Sequence, residues 1–254
     1  MQALTYRQFW WKWILFCGFG VMLSMAAAAS LAVGYNFAMG YPTTFVAGAL
    51  NMLVLLGAGV VQGTILGLFQ WSVLSKKYQF LKMTEWVGYT IAVSVLGWAL
   101  GMIPAMFSKG SSVTVKITKP VPGPHELTDS TSVFNIPVFE ETVVQEPSLW
   151  SLIFSAAAIG LFLGALFGLF QWLALRRHSK RAGSWILANA LGWGLGMIWI
   201  FLAAVLPDNS TPIPLIVGMG IAGGILSGLS ISAITGWFLM WMPVGEEQIA
   251  KDES

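Results

Sequence analysis

Six long stretches of the chain contain almost no charged side chains, and they constrain the fold more than any other feature. The stretches are 11–34, 48–74, 84–107, 149–174, 183–206 and 214–241, with Lys12 and Glu85 at the rims. About 20 apolar residues in a helix cross the hydrocarbon core of a bilayer. Because backbone groups in lipid must bond internally, each stretch is predicted to be a transmembrane helix. Charged residues are 9% of the chain, against about 25% in soluble proteins.

The predicted organisation divides the chain into four parts. Residues 1–107 hold helices one to three, 108–148 form an extracytoplasmic loop, 149–242 hold helices four to six, and 243–254 form a tail. Ten basic residues fall on one side of this arrangement, and they are Arg7, Lys12, Lys76, Lys77, Lys82, Arg176, Arg177, Lys180, Arg181 and Lys251. The positive-inside rule therefore predicts that both termini are cytoplasmic.

Tryptophan is unusually frequent, and its positions agree with this topology. Eight of the indoles cluster near the predicted cytoplasmic boundary, and they are Trp10, Trp11, Trp13, Trp71, Trp172, Trp185, Trp237 and Trp241. Indoles prefer the interface between lipid and water. We therefore interpret these residues as an aromatic belt.

The sequence repeats itself over about 100 residues. The segment 63–71 matches 164–172 in its glycines and in its Gln-Trp ending, and 96–102 matches 191–197 as Leu-Gly-Trp-x-Leu-Gly-Met. The offset changes from 101 to 95 positions between the two matches. The pattern predicts duplication of a two-helix unit. A third, diverged copy would consist of the sixth span paired with the first. The sixth span keeps small residues at four-residue spacing, and they are Gly224, Gly228, Ser232 and Gly236.

The second copy resembles a family of bacterial membrane proteins. Its residues Gln171-Trp-Leu-Ala-Leu-Arg-Arg177, followed by Leu191-Gly-Trp-Gly-Leu-Gly196, look like repeats in uncharacterised multi-pass proteins of cyanobacteria and related bacteria. The first copy departs from the pattern, because Lys76 and Lys77 replace the two arginines. The resemblance covers the second to fifth spans. It implies a bacterial plasma membrane or a thylakoid and brings no known activity.

Glycines spaced four residues apart form ladders on several spans. The ladders comprise Gly59, Gly63, Gly67, Gly160, Gly164, Gly168, Gly224, Gly228 and Gly236. This spacing places small residues on one helix face, where another helix can approach closely. The ladders predict either packing within the chain or a face for another subunit.

Gln70 and Gln171 occupy the same position in the two copies and are the candidate binding residues. Each lies five or six positions before a basic residue, or roughly 8 Å below it along a helix. An amide at this depth can bond to headgroups or to a neighbouring carbonyl. It can also contact a quinone or lipid, or coordinate the magnesium of a chlorophyll-like pigment, because magnesium prefers oxygen ligands.

The loop from 108 to 148 is the one sizeable soluble element. Alternation of apolar and polar residues at 113–117 predicts a strand, and 133–139 and 142–144 could pair with it. We expect a small β-ribbon there. Its apolar residues Phe134, Ile136 and Phe139 are the candidates for docking a partner.

Function is constrained mainly by what the spans lack. No ionisable pair, Ser–His pair or Cys/His cluster falls at membrane depth, and proton pathways and metal sites need such groups. Without a basic domain, nucleic acid is not an expected partner. The fold class is thus an all-α membrane protein of six helices. The leading hypothesis is a non-enzymatic scaffold or accessory subunit that contacts the bilayer and other membrane subunits. The alternatives are a small channel or carrier for a neutral or hydrophobic solute, and a pigment- or quinone-binding protein. No cofactor and no metal is assigned.

Overall fold

The protein is an all-helical bundle in the computed structural model, which describes residues 6–40, 44–107, 148–208 and 210–244. Six helices account for these ranges: α1 Tyr6–Met39, α2 Phe45–Leu74, α3 Met83–Phe107, α4 Leu149–Leu175, α5 Ser184–Val205 and α6 Ile213–Met240. Each predicted span lies along one of them, which confirms the all-helical prediction. Among the described residues, five of these helices are long and apolar enough to cross a membrane, and they are α1, α2, α4, α5 and α6. The expected β-ribbon and its residues Phe134, Ile136 and Phe139 lie outside the described ranges.

The helix ends have local chemical causes. The hydroxyls of Thr44 and Ser148 accept hydrogen bonds from backbone N–H groups in the first turns of α2 and α4, which satisfies donors that a helix leaves open. Pro214 lies in the first turn of α6, where proline loses no intrahelical bond. α1 ends at Met39 and is followed by Gly40, whose φ of 74° is a left-handed conformation that glycine adopts readily.

The helices form a closed ring in chain order. Each helix contacts the ones before and after it, and α6 contacts α1. One end of the ring carries the start of α1, the turns 75–82 and 176–183, and the end of α6. We call it the basic end, because both turns are rich in lysine or arginine.

The glycine ladders bring the backbones of neighbouring helices together. A Cβ placed on Gly67 would lie 3.1 Å from Val87 Cα, and one on Gly168 would lie 2.6 Å from Ile186 Cα. Gly228 of α6 approaches the backbone of Gly18 on α1 in the same way. The ladders therefore pack α2 on α3, α4 on α5, and α6 on α1.

The helix–helix contacts align the two copies differently from the match of their Leu-Gly-Trp motifs. Val87 faces Gly67 and Ile186 faces Gly168, so the contacting residues of α3 and α5 are 99 positions apart. The motifs at 96–102 and 191–197 are 95 apart. Relative to these contacts, the Leu-Gly-Trp motif therefore lies about one helical turn further along α3 than the matching motif lies along α5. The two basic turns are equal in length.

Gly63→Ala is expected to lower the stability of the isolated protein by about 1–3 kcal/mol, the usual cost of overpacking. Its new Cβ would lie 2.8 Å from Thr90 O and Ile91 N, which are backbone atoms. Gly57→Ala on the same helix is the control, since no described atom lies within 4 Å of its Cβ position. Thermal unfolding in mild detergent measures both. Equal losses in the two variants would contradict close packing at Gly63.

Candidate functional site: a buried indole and amide cluster

Three tryptophans from alternate helices meet inside the ring near the basic end. Trp13 of α1, Trp86 of α3 and Trp185 of α5 are all completely buried. The ring centroids of Trp13 and Trp185 are 5.9 Å apart, and those of Trp86 and Trp185 are 6.0 Å apart. Such spacing is typical of edge-to-face aromatic contact. The indoles therefore fill the interior at this level.

Gln70 and Gln171, the two candidate amides, meet in the interior beside these indoles. Gln171 Nε2 donates to Gln70 Oε1 at 2.8 Å and to Thr90 Oγ1 at 3.0 Å. Trp185 Nε1 donates to Gln171 Oε1 at 3.0 Å, and Gln70 Nε2 donates to Cys17 Sγ at 3.6 Å. These contacts join α1, α2, α3, α4 and α5 through side chains alone.

The sixth helix joins through its own indole contact. Trp13 Nε1 of α1 donates to Thr235 Oγ1 of α6 at 3.0 Å, and that hydroxyl donates to the backbone of α6 at Ile231 O. Thr235 thus accepts the hydrogen bond of the Trp13 indole, as Gln171 accepts that of the Trp185 indole. Every helix of the ring contributes a polar side chain to this level of the core.

The third indole has no such acceptor. Trp86 Nε1 is buried without a hydrogen-bond partner among the described residues, and so are the hydroxyls of Ser94 and Ser227 deeper in the ring. Gln70 Oε1 would be the equivalent acceptor for Trp86, because Gln70 matches Gln171 in the repeat. It accepts from Gln171 instead. One polar group in the cluster is therefore left unsatisfied, and such a group weakens a core.

Lys77 closes the basic end beneath the cluster. Its ammonium donates to Leu239 O, in the last turn of α6, and lies 5.6 Å from the ring centre of Phe9 and 5.5 Å from that of Tyr78. A cation at a helix C-terminus is favourable because the last carbonyls carry partial negative charge. Burial lowers the pKa of Lys77 to about 8.

Tyr78 lies next to Lys77 and is completely buried. Its hydroxyl donates to Met242 O at 3.4 Å, beyond the end of α6. Burial raises the pKa of this phenol, and a hydrogen bond with Ser179 partly offsets the rise. The phenol thus connects the turn 75–82 to the turn 176–183 and to the segment after α6. By contrast, the ion pair of Arg177 with Glu85, at 3.6 Å, is largely exposed and contributes little.

The structure shows what several of the predicted site residues contact. Gln70 and Gln171 bond to each other, and the glycines of the ladders face neighbouring helices of the same chain. Gly236 packs on Trp13, whereas Gly224 has only an ordinary contact with Met22.

Burial restricts the aromatic-belt interpretation to some of the tryptophans. Trp11, Trp237 and Trp241 are about half exposed or more, as a belt requires. For Trp13 and Trp185 it was wrong, because both are core residues.

Sequence reasoning also missed Trp86 and Tyr78 as buried groups and Lys77 as a partly buried one. One signal was available: a polar or small residue follows each of the three tryptophans of the cluster by four positions, as in Trp13–Cys17, Trp86–Thr90 and Trp185–Asn189. Residues four apart share a helix face, and all six of these side chains are buried.

The chemistry of the cluster is that of hydrogen bonding and packing. Among the described residues, the buried polar side chains are hydroxyls and amides, and none is Asp, Glu, Lys, Arg or His. The same part of the chain contains no group of three or more His, Cys, Asp or Glu that could hold a metal ion. The arrangement can hold helices in a fixed register.

The fold and this cluster define a class: an all-helical, multi-pass integral membrane protein, with five helices suited to crossing a bilayer. Comparisons with models of known protein families, with curated proteins and with solved structures find no match.

The amide pair can be tested with a double-mutant cycle of Gln70→Leu and Gln171→Leu. Gln171→Leu leaves Trp185 Nε1 without its acceptor, so we expect a loss of about 1–3 kcal/mol. The double variant should lose less than the sum of the single losses, with a coupling of about 0.6 kcal/mol or more. Denaturation in detergent gives the four values. Strict additivity would show that the two amides do not interact.

The partly buried Lys77 predicts a pH dependence of stability. An unfolded lysine keeps its ordinary pKa of 10.5, so between about pH 8 and 10.5 the unfolded chain binds more protons than the folded one. Stability contributed through Lys77 therefore rises with pH across this window. Lys77→Met should remove that rise, whereas Lys76→Met, at an exposed neighbour, should keep it. Melting temperatures from pH 7 to 10.5 for both variants and the wild type test this. A rise that persists in Lys77→Met would rule out this lysine as its source.

Proposed function

We propose that the protein is a non-enzymatic multi-pass membrane scaffold or an accessory subunit of a larger membrane complex. The observation that carries the proposal is the filled interior at the basic end. There, three indoles and two amides interlock the helices. Groups that carry charge or move protons through membranes are absent from the buried polar set of the described residues. A fixed bundle of this kind presents surfaces to partners rather than performing chemistry.

The proposal includes a specific topology. We place six spans in the membrane, with α3 as the sixth because it lies between α2 and α4 in the ring. Both termini face the cytoplasm, where the basic turns meet the headgroups. The setting we propose is a bacterial plasma membrane or a thylakoid.

The bundle in this proposal consists of three two-helix units: α2 with α3, α4 with α5, and α6 with α1. In each unit a ladder of small residues on the even-numbered helix packs against the odd-numbered one. The partner surface then lies on the outward faces, because the ladders are used within the chain.

Two alternatives fit the same fold less well. A channel or carrier for a neutral solute needs a path through the bundle, and at the basic end Trp13, Trp86 and Trp185 would have to move to open one. Binding of a pigment or quinone at Gln70 and Gln171 would need their amides released, since both amides bond within the cluster.

Extraction of the protein from its native membrane in mild detergent tests the scaffold proposal. On a native gel we expect a band well above the size of the 27.5 kDa chain, with other subunits identified in it by mass spectrometry. An absorption spectrum of the band distinguishes a bound pigment. Migration as a monomer or small homo-oligomer in several mild detergents would contradict the accessory-subunit role.

Reconstitution separates the scaffold from the channel. Liposomes containing the purified wild-type chain should be no more permeable to glycerol or urea than empty liposomes, as measured by light scattering after an osmotic step. Trp185→Ala is the informative variant, since it removes an indole from the filled layer. Flux through the wild type would overturn the scaffold proposal in favour of the channel.

A further inference from the structure

An apolar groove runs along the outward face of α6 at the basic end. It consists of two adjoining cavities of about 520 and 270 Å³ that share Trp237 and Phe238. The larger cavity is otherwise lined by Trp10, Leu191, Ala233 and Ile234. The smaller one is otherwise lined by Arg181, Ser184 and Trp241.

The groove spans the depth of a lipid headgroup and the upper part of its chains. Arg181 belongs to the basic turn, and Leu191 lies seven residues into α5, roughly 10 Å from Ser184 along the helix axis. Trp237 and Trp241, whose ring centres are 6.1 Å apart, are exposed along the groove, as indoles at a membrane interface are. One end of the groove is therefore cationic and the other is apolar.

Arg181 has its guanidinium available to a ligand. The residue is exposed. Its side chain forms no ion pair within the described ranges, and Glu85 pairs instead with Arg177 of the same turn. The Ser184 hydroxyl donates to Arg181 O at 2.8 Å and fixes the local backbone. A guanidinium matches the geometry of phosphate oxygens and can bind two of them at once.

We propose that this groove binds one anionic phospholipid. Its phosphate lies against Arg181 and Ser184, and one acyl chain lies along Leu191, Ile234 and Trp10. Charge selects the occupant: the cationic end favours a lipid with net negative charge over a zwitterionic lipid with the same chains. This site is independent of the scaffold proposal, since it would be present in a channel as well.

Native mass spectrometry of the full chain in detergent tests the site by titration with phosphatidylglycerol and with phosphatidylcholine of identical chains. We expect one tightly bound phosphatidylglycerol per chain and weaker binding of phosphatidylcholine. Arg181→Gln should weaken phosphatidylglycerol binding about fivefold, the loss expected for one basic contact to an anionic lipid, and should abolish the preference. Lys180→Gln removes the same charge from the adjacent position of the same turn, which does not line the groove, and should change the affinity less than twofold.

Ala233→Phe is the test of the apolar end. A phenyl group at this position would occupy the larger cavity, so binding of both lipids should fall. An unchanged melting temperature shows that the variant is folded. Equal effects of Arg181→Gln and Lys180→Gln would reduce the proposal to general surface charge and overturn it. Equal affinity of the wild type for the two lipids, or unchanged phosphatidylglycerol binding by a folded Ala233→Phe protein, would overturn it as well.

Discussion

The hydrogen bond between Gln171 and Gln70 joins the two halves of the chain at the centre of the bundle, and the surrounding core is arranged around it. Each amide has further donors or acceptors, and in an apolar interior none of them can turn to water instead. The geometry of five helices is therefore tied to two side chains. In some proteins a buried polar group fixes helix register even where it adds little stability.

Close backbone packing and polar bonding fix different features of the helix geometry. The ladders bring α2 onto α3 and α4 onto α5, which fixes the distance between paired helices. The ladders alone would permit sliding, since one small residue is much like the next. The amide cluster removes that freedom, because a shift by one turn would separate Gln171 from Trp185 and Thr90.

The number and type of helices followed from the sequence, because long uncharged runs form helices in lipid, where backbone groups must bond internally. Contact between Gln70 and Gln171 did not follow, because the repeat places them at equivalent positions without saying that these face each other. The Leu-Gly-Trp match even suggested a wrong register, since sequence similarity in Gly-rich apolar helices tolerates a one-turn shift. Burial of Trp13 and Trp185 was missed for a related reason: position along a helix predicts depth in the membrane, whereas the side that a residue faces depends on its neighbours.

Closure of the ring has a consequence for the order in which the protein is made. The acceptor of the Trp13 indole, Thr235, is 222 positions away in the chain, so α1 enters the membrane long before its interior partner is synthesised. The α2–α3 and α4–α5 pairs need only sequence-local contacts, and contacts that are close in sequence form first. The Trp13 indole therefore lacks this acceptor until α6 has been synthesised. Assembly of this bundle is complete only when its last helix meets its first.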